Sequence, residues 1–184
     1  MMMLVSSDPA EDLGLVRAAA AGDRAAFGEL YVRYARMVHG ILLSRVPPAD
    51  AEDMVQDVFI SAMRQLRGLR TAEAFPGWLA AIARNRAMDY FRGSRDLPLD
   101  EKQAGRQPAA NAVQDAFLVL DLVRSLPEAY RETLILRLVE GMTGPEIALR
   151  TGLTPESVRV NLCRGMKMLR ELLASPQVGD MQRK

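Results

Sequence analysis

Hydrophobic residues recur at steps of three and four along most of the chain, which is the spacing that places them on one face of an α-helix. The clearest case is the segment 24–45, which follows Asp23, a residue type that often caps helices. The pattern also predicts a shorter helix over 12–21. The long helix over 24–45 is expected to end at Pro47-Pro48. The apolar positions of the long segment are Phe27, Leu30, Tyr31, Tyr34, Val38, Ile41 and Leu42.

Two more amphipathic helices are predicted in the first half of the chain, over 51–66 and from near Pro76 to 94. Acidic residues are concentrated in the first two turns of the earlier helix, where the positive end of the helix dipole favours them. These acids are Asp50, Glu52, Asp53 and Asp57.

The hydrophobic periodicity stops over residues 96–115, which contain two prolines and mostly polar side chains. This composition indicates a linker. We therefore predict an all-α fold of two small helical domains joined by a flexible linker. The predicted boundaries are 1–95 for the N-terminal domain, 96–115 for the linker and 116–184 for the C-terminal domain.

The C-terminal half ends in the pattern of a helix-turn-helix. Helices are predicted over 115–126 and 128–141, and Thr143 and Glu146 then have the spacing of a capping box. The short helix that they begin stops near Gly152. Thr154-Pro155 is a start signal for a final helix that runs to about Leu173.

The second helix of a helix-turn-helix enters the major groove of DNA. Val158 and Leu162 are expected to anchor it against Ile147, Ala148 and Leu153. Its other face is basic and polar, and arginine and asparagine suit guanine and adenine edges. A merely solvated basic helix is the alternative, but the two capped helices favour DNA binding. The candidate DNA-binding residues are Thr154, Ser157, Arg159, Asn161, Arg164 and Lys167.

The composition argues against catalysis, metal binding and a cofactor. The 184 residues include one cysteine and one histidine, Cys163 and His39, so one chain cannot supply an intramolecular disulfide or a multi-histidine metal site. The acids of 50–57 are better explained as a capped, solvated helix start than as a cation site. We predict a non-enzymatic, cytoplasmic protein, because no secretory signal or membrane-spanning run is present.

The net charge of +1 conceals an uneven distribution. Residues 50–57 contain four acids and no bases, whereas 84–95 and 154–170 each carry four bases and one acid. The first basic segment interleaves arginines with aromatic residues, a mixture that suits single-stranded nucleic acid. Trp78 fits base stacking and a helical core equally well, and Phe91 is expected in the core. The candidates for binding unpaired DNA are Trp78, Arg84, Asn85, Arg86, Tyr90 and Arg92.

Three segments together resemble a bacterial sigma factor of the two-domain extracytoplasmic-function (ECF) group. They are DAEDMVQDVF at 50–59, FPGWLAAIARNRAMDYFR at 75–92 and the helix-turn-helix region from Leu126 onward. The resemblance implies that the first segment docks on the clamp helices of the RNA polymerase β′ subunit. The residues expected at this contact are Asp50, Glu52, Asp53, Gln56, Asp57 and Phe59.

The resemblance also implies how promoter DNA is used in transcription initiation. The helix at 76–94 and the loop before it, about 66–75, would recognise and melt the minus-ten element, and the helix-turn-helix would read the minus-thirty-five element as duplex. The group is commonly inhibited by an anti-sigma factor, often membrane-attached. Asn161, Gly165 and Met166 depart from the family pattern in the recognition helix. The alternative is a sigma-like helix-turn-helix regulator that binds DNA without activating polymerase.

Overall fold

The computed structural model of the protein describes residues 9–95 and 111–174, and within these ranges it contains helices and no strands. The all-α prediction is confirmed. None of the described helices is both long enough and apolar enough to cross a membrane. The helices are α1 Pro9–Ala20, α2 Arg24–Leu43, α3 Pro48–Gln65, α4 Phe75–Arg95, α5 Asn111–Ser125, α6 Glu128–Leu138, α7 Gly144–Thr151 and α8 Pro155–Ala174, with short 3₁₀ turns at 66–68 and 72–74.

Local capping explains where several helices begin and end. The Asp23 carboxylate accepts hydrogen bonds from the backbone amides of Ala25 and Ala26, at 2.8 and 3.2 Å. Thr143 and Glu146 form the reciprocal capping box at the start of α7. Gly152 ends α7 with a φ of 75°, a left-handed conformation that glycine adopts without steric cost. All three signals were predicted from the sequence.

Two boundaries differ from the predictions. Helix α3 begins at Pro48, two residues before Asp50, because proline is well tolerated in the first turn, where amide donors have no intrahelical partner. Helix α5 begins at Asn111, so residues 111–115 of the predicted linker are helical. The remaining part of that linker, residues 96–110, lies outside the described residues.

Helices α1 to α4 form an N-terminal module around a buried apolar core. Leu30, Val58 and Leu79 are completely buried in it. The hydroxyl of buried Tyr34 donates to Asp12 Oδ2 at 2.7 Å, which ties α1 to α2. Burial, followed by this hydrogen bond, raises the pKa of Tyr34 far above its usual value, so the phenol stays neutral.

Helices α5 to α8 form a C-terminal module whose helix-turn-helix has its own small core. Val158 is buried, and Leu153 and Leu162 pack beside it, as predicted. Gly165 occupies the point where α8 passes α6, since a Cβ there would lie 3.0 Å from Leu134 Cδ1. The departure from the family pattern at Gly165 therefore permits close helix packing. The buried members of the small core are Leu136, Met142, Ile147, Ala148 and Val158.

The two modules pack directly against each other. Val123, Leu126 and Leu134 of the C-terminal module belong to the same apolar core as helices α1 to α4. A Cβ placed on Gly40 of α2 would lie only 2.6 Å from Leu136 Cδ2. These contacts bring α2 and α4 of the first module against α6 and α7 of the second.

Polar contacts reinforce this packing. The Arg124 guanidinium donates to the carbonyl oxygens of Leu43, at 2.8 and 3.0 Å, and of Val46, at 2.6 Å. Arg150 of α7 donates to the carbonyl oxygen of Arg33 and lies over the Tyr34 ring, 4.9 Å from its centroid. Arginines of the C-terminal module thus donate to carbonyl oxygens within α2, at its last residue and just beyond its end.

Candidate polymerase and nucleic-acid interfaces

The exposed face of α3 combines acidic and apolar side chains. Asp53 and Gln56 are exposed, and the same face continues with Ile60 and Met63, which are 45% and 52% exposed. We call these four residues the α3 stripe. Helical periodicity predicts Met63 on the apolar, buried face of this helix together with Phe59, and it does not single out Ile60. Glu52 and Asp57 are also exposed beside the stripe, and Asp50 is half-buried.

Phe59 lies in the core and is only 3% exposed. Its ring centroid is 4.6 Å from that of Tyr31 and 6.2 Å from that of Phe27. The side chain therefore holds α3 against α2. A partner on the molecular surface would meet Ile60, the next residue, rather than the Phe59 ring.

The aromatic residues of α4 divide between core and surface. Trp78 is half-buried with its ring centroid 5.9 Å from that of Phe75, so it combines core packing with partial exposure. The expectation for Phe91 was wrong, since its side chain is 48% exposed and packs edge-on against Tyr90. Asn85 and Arg92 are exposed, and Arg92 forms a surface ion pair with Asp89 at 3.4 Å.

Two α4 residues proposed for DNA are paired with acids of α3. Arg86 forms an ion pair with Asp57 at 2.6 Å, and the Tyr90 hydroxyl donates to Asp50 Oδ2 at 2.9 Å. Burial and this hydrogen bond raise the pKa of Tyr90. The acidic and basic segments, which the sequence presented as separate, therefore contact each other.

Arg84 is paired with the C-terminal module. Its Nε and one terminal nitrogen donate to the two oxygens of Glu132, at 3.1 and 2.7 Å. Arg45 binds the same carboxylate at 2.8 Å. Burial alone would raise the pKa of Glu132, but the two arginines outweigh it and lower that pKa. The Glu132 hydrogen bond raises the pKa of Arg84 against the opposing effect of burial.

The outer face of α8 is arranged differently. Arg159, Arg164 and Lys167 are exposed, and none of them forms an ion pair with any residue in the described ranges. Thr154 Oγ1 accepts the Ser157 amide at 3.2 Å, so these two residues also form the N-terminal cap of the helix. Asn161 is half-buried.

The loop before α4 frames an open cavity of about 320 Å³. Arg70, Thr71 and Glu73 line it together with Arg17 of α1. The family resemblance assigned this loop only as a range, about 66–75. The tertiary contact between α1 and the loop identifies the individual side chains.

Comparisons with known proteins agree with this arrangement. Sigma-70 region 2 matches residues 30–96, and sigma-70 region 4 matches residues 116–169. RNA polymerase sigma factor NccH of Alcaligenes xylosoxydans xylosoxydans is 32% identical, covering 94% of this chain and 100% of its own length. ECF RNA polymerase sigma factor BldN of Streptomyces coelicolor is 32% identical, covering 91% of this chain and 67% of its own.

A solved structure has a similar fold. It is the structure of CnrH in complex with the cytosolic domain of CnrY, which matches with a TM-score of 0.63 and 28% identity over 90% of this chain and 97% of that chain. The two region matches, the full-length relative and the shared fold lead to one conclusion. The chain belongs to the extracytoplasmic-function group of RNA polymerase sigma factors.

Proposed function

We propose a division of labour for this sigma factor, in which α3 binds core RNA polymerase, α4 and its preceding loop take the minus-ten DNA, and α8 reads the minus-thirty-five duplex. The observation that carries the proposal is the exposure of unlike surfaces on different helices. The α3 stripe is acidic and apolar, whereas the outer face of α8 is basic and polar. Surfaces that differ in charge attract different partners, so α3 and α8 are assigned to protein and to DNA respectively.

The α3 stripe fits a helical protein partner of basic character. Asp53, Gln56, Ile60 and Met63 follow one another at steps of three and four, which places them along one line of the helix. Apolar side chains flanked by charges are typical of the centre and rim of a protein interface. We assign this surface to the clamp helices of the polymerase β′ subunit, with Glu52 and Asp57 at its edge and Phe59 supporting it from the core.

For the minus-ten element, the proposed surface combines exposed polar groups with a cavity. Asn85 and half-buried Trp78 are available for base contacts, and the cavity beside Arg70 is of a size that accepts a small planar group. Capture of an unstacked base by aromatic and polar side chains favours strand opening. The proposed set on α4 remains Trp78, Arg84, Asn85, Arg86, Tyr90 and Arg92.

For the minus-thirty-five element, α8 supplies Arg159, Asn161, Arg164 and Lys167 without competing acids among the described residues. Each correctly read base pair contributes about 1 to 3 kcal/mol to the free energy of binding. Two short elements read together therefore give a discrimination that neither gives alone, provided that their spacing matches the protein.

We further propose that the protein has no catalytic activity of its own, acts in the cytoplasm and is regulated by an anti-sigma protein. RNA polymerase supplies the chemistry of transcription. The support for a protein partner is that the similar chain CnrH was solved in complex with the cytosolic domain of CnrY.

The polymerase assignment is tested with Asp53→Arg, which reverses the acidic charge of the α3 stripe. We expect the affinity for core polymerase to fall by at least about tenfold, because opposite charges at an interface become like charges. Glu29→Arg, an exposed site on α2, is the matched control and should change little. Equal losses of polymerase binding and of minus-thirty-five duplex binding in Asp53→Arg would contradict the division of labour.

Promoter-specific initiation by purified core polymerase tests the function as a whole. The protein should make the enzyme start at a defined promoter. Intact duplex binding without core binding or initiation would instead support a DNA-binding regulator that does not activate polymerase.

A further inference from the structure

A single carboxylate joins three helices at the boundary between the modules. Glu132 of α6 receives two hydrogen bonds from the fork of Arg84 on α4 and a third contact from Arg45, just after α2. Arg45 also reaches Glu128 at 2.6 Å. Two guanidinium groups of one module thus converge on an anion supplied by the other.

This carboxylate is charged and almost completely excluded from water. Glu132 is only 5% exposed, and a buried charge is unfavourable unless it is paired. Arg84 provides that pairing with the planar, bidentate geometry that guanidinium groups also use for phosphate, and Arg45 adds one further contact. The same N–H groups would therefore donate to two phosphate oxygens in place of those of Glu132.

The observed arrangement is too compact to bind both promoter elements at once. A compact body of about 150 residues has a radius of gyration of about 15 Å. Elements centred about 25 base pairs apart are separated by about 85 Å along B-form DNA. The modules must therefore separate to read both elements, and separation removes Glu132 from Arg45 and Arg84.

We propose that Arg45 and Arg84 form an anion-binding site that Glu132 occupies in the closed molecule and a backbone phosphate of promoter DNA occupies in the open one. The inference rests on the proposed minus-ten role of α4 and extends it to Arg45, which lies on another element. Glu132 thereby acts as an internal competitor of DNA. Release of the carboxylate and binding of the phosphate are coupled to the separation of the modules.

A second feature of the boundary allows the modules to be separated without touching this charge cluster. A Cβ on Gly77 of α4 would lie 3.8 Å from the Gly152 Cα, an ordinary contact distance, but larger side chains would meet the turn of the helix-turn-helix. Gly77→Leu is therefore a steric wedge, and Gly77→Ala is its matched control.

The first measurement is the distance between the modules by single-molecule fluorescence energy transfer. Dyes are placed at Glu29→Cys and Glu171→Cys in a full-length chain carrying Cys163→Ser. We expect Glu132→Gln and Gly77→Leu each to raise the ratio of open to closed molecules by about tenfold or more, since hydrogen bonds to charged groups are lost or the contact is blocked. Glu156→Gln, with the same change of charge on exposed α8, and Gly77→Ala should stay closed.

The second measurement is the affinity of these free chains for a single-stranded oligonucleotide. Both opened variants should bind it about tenfold more tightly than the unmodified chain and than the Glu156→Gln control. Adding Arg45→Gln to either opened variant should remove the gain, whereas adding Arg24→Gln, at the exposed start of α2, should not. Circular dichroism establishes that each variant is folded, and Gly77→Leu replaces Glu132→Gln if the latter is not.

An unchanged distance in both opened variants would overturn the inference, as would an opened chain whose oligonucleotide affinity does not rise or survives Arg45→Gln. In either case, promoter-specific initiation by the unmodified chain with core polymerase would show that the proposed function stands without this site. If the unmodified chain with core polymerase does not initiate at the promoter, the proposed function itself fails.

Discussion

The two basic surfaces of the molecule differ in whether their side chains are already engaged. On α8, Arg159, Arg164 and Lys167 have no acidic partner among the described residues. On α4, Arg84 and Arg86 are each held by a carboxylate. The two segments carry the same local charge in the sequence, but their basic side chains are not equally available to DNA in the folded protein, because ion pairing depends on tertiary contacts.

The two α4 arginines also differ from each other. Arg86 and Asp57 are both 47% exposed, so water and salt compensate readily when this pair separates. Arg84 faces a carboxylate that is largely buried, and separation there leaves charges that must be hydrated or paired again. In the function proposed above, control over minus-ten binding therefore resides mainly at Arg84.

The largest expected effect comes from removing packing shared by the modules. Leu136→Ala deletes a fully buried side chain that fills the helix-turn-helix core and contacts Gly40 of α2. We expect the free energy of unfolding, measured in urea, to fall by about 2 to 5 kcal/mol. Leu138→Ala, two residues away and 47% exposed, should cost less than about 0.5 kcal/mol. Equal losses would show that Leu136 is not packed as described.

The next effect sharpens the difference between the basic surfaces. Arg159→Ala should weaken binding of the free chain to its minus-thirty-five duplex by about 1 to 3 kcal/mol. The slope of log affinity against log salt concentration should become shallower by about 1, the change expected for one lost phosphate contact. Arg86→Ala in the same titration should change little, because Arg86 lies on the other module. Fluorescence anisotropy at several salt concentrations measures both. A greater loss in Arg86→Ala would reverse the proposed assignments.

A smaller effect tests the close approach of α8 to α6. Gly165→Ala improves helix propensity by about 1 kcal/mol, but its Cβ would press on Leu134 at 3.0 Å and on Tyr130 at 3.2 Å. We expect a net loss of about 1 kcal/mol in the free energy of unfolding. Gly28→Ala, with open space around the new methyl group in α2, should gain up to about 1 kcal/mol instead. A gain at both sites would contradict the packing.

The smallest effect depends on pH. The hydrogen bond from His39 to Glu140, 2.6 Å long, raises the pKa of His39 against the opposing effect of burial, and Glu52 adds to the rise. This stabilisation is complete below the ordinary pKa of 6.5 and is lost as pH rises through the raised value. His39→Gln should therefore destabilise the protein by less than about 1 kcal/mol, and more at about pH 6 than at about pH 9. A larger cost at the higher pH would contradict this pairing.

Features determined by neighbouring residues were predictable from the sequence. The Asp23 cap, the Thr143 capping box and the turn at Gly152 depend on side chains only a few positions apart. The helix-turn-helix core around Val158 followed from helical periodicity. These signals, with the family resemblance, were sufficient for the fold class and the family.

Features determined by long-range packing were not predictable in the same way. Helical periodicity places both Phe59 and Met63 on the apolar face of α3, but only Phe59 is buried, whereas Met63 is 52% exposed. Phe91 lies near the end of α4, where no described element covers it. The pairing of Arg84 with Glu132 joins residues 48 positions apart, so no local pattern reports it.

The central claim is that the basic side chains of α8 are available to DNA in the free chain, whereas those of α4 are engaged by carboxylates. The most direct test measures the affinities of the same chain for both DNA ligands, with and without core polymerase. The free chain should bind a minus-thirty-five duplex measurably and a minus-ten single strand at least about tenfold more weakly than the holoenzyme does. Binding of the minus-ten strand by the free chain as tightly as by the holoenzyme would contradict the account.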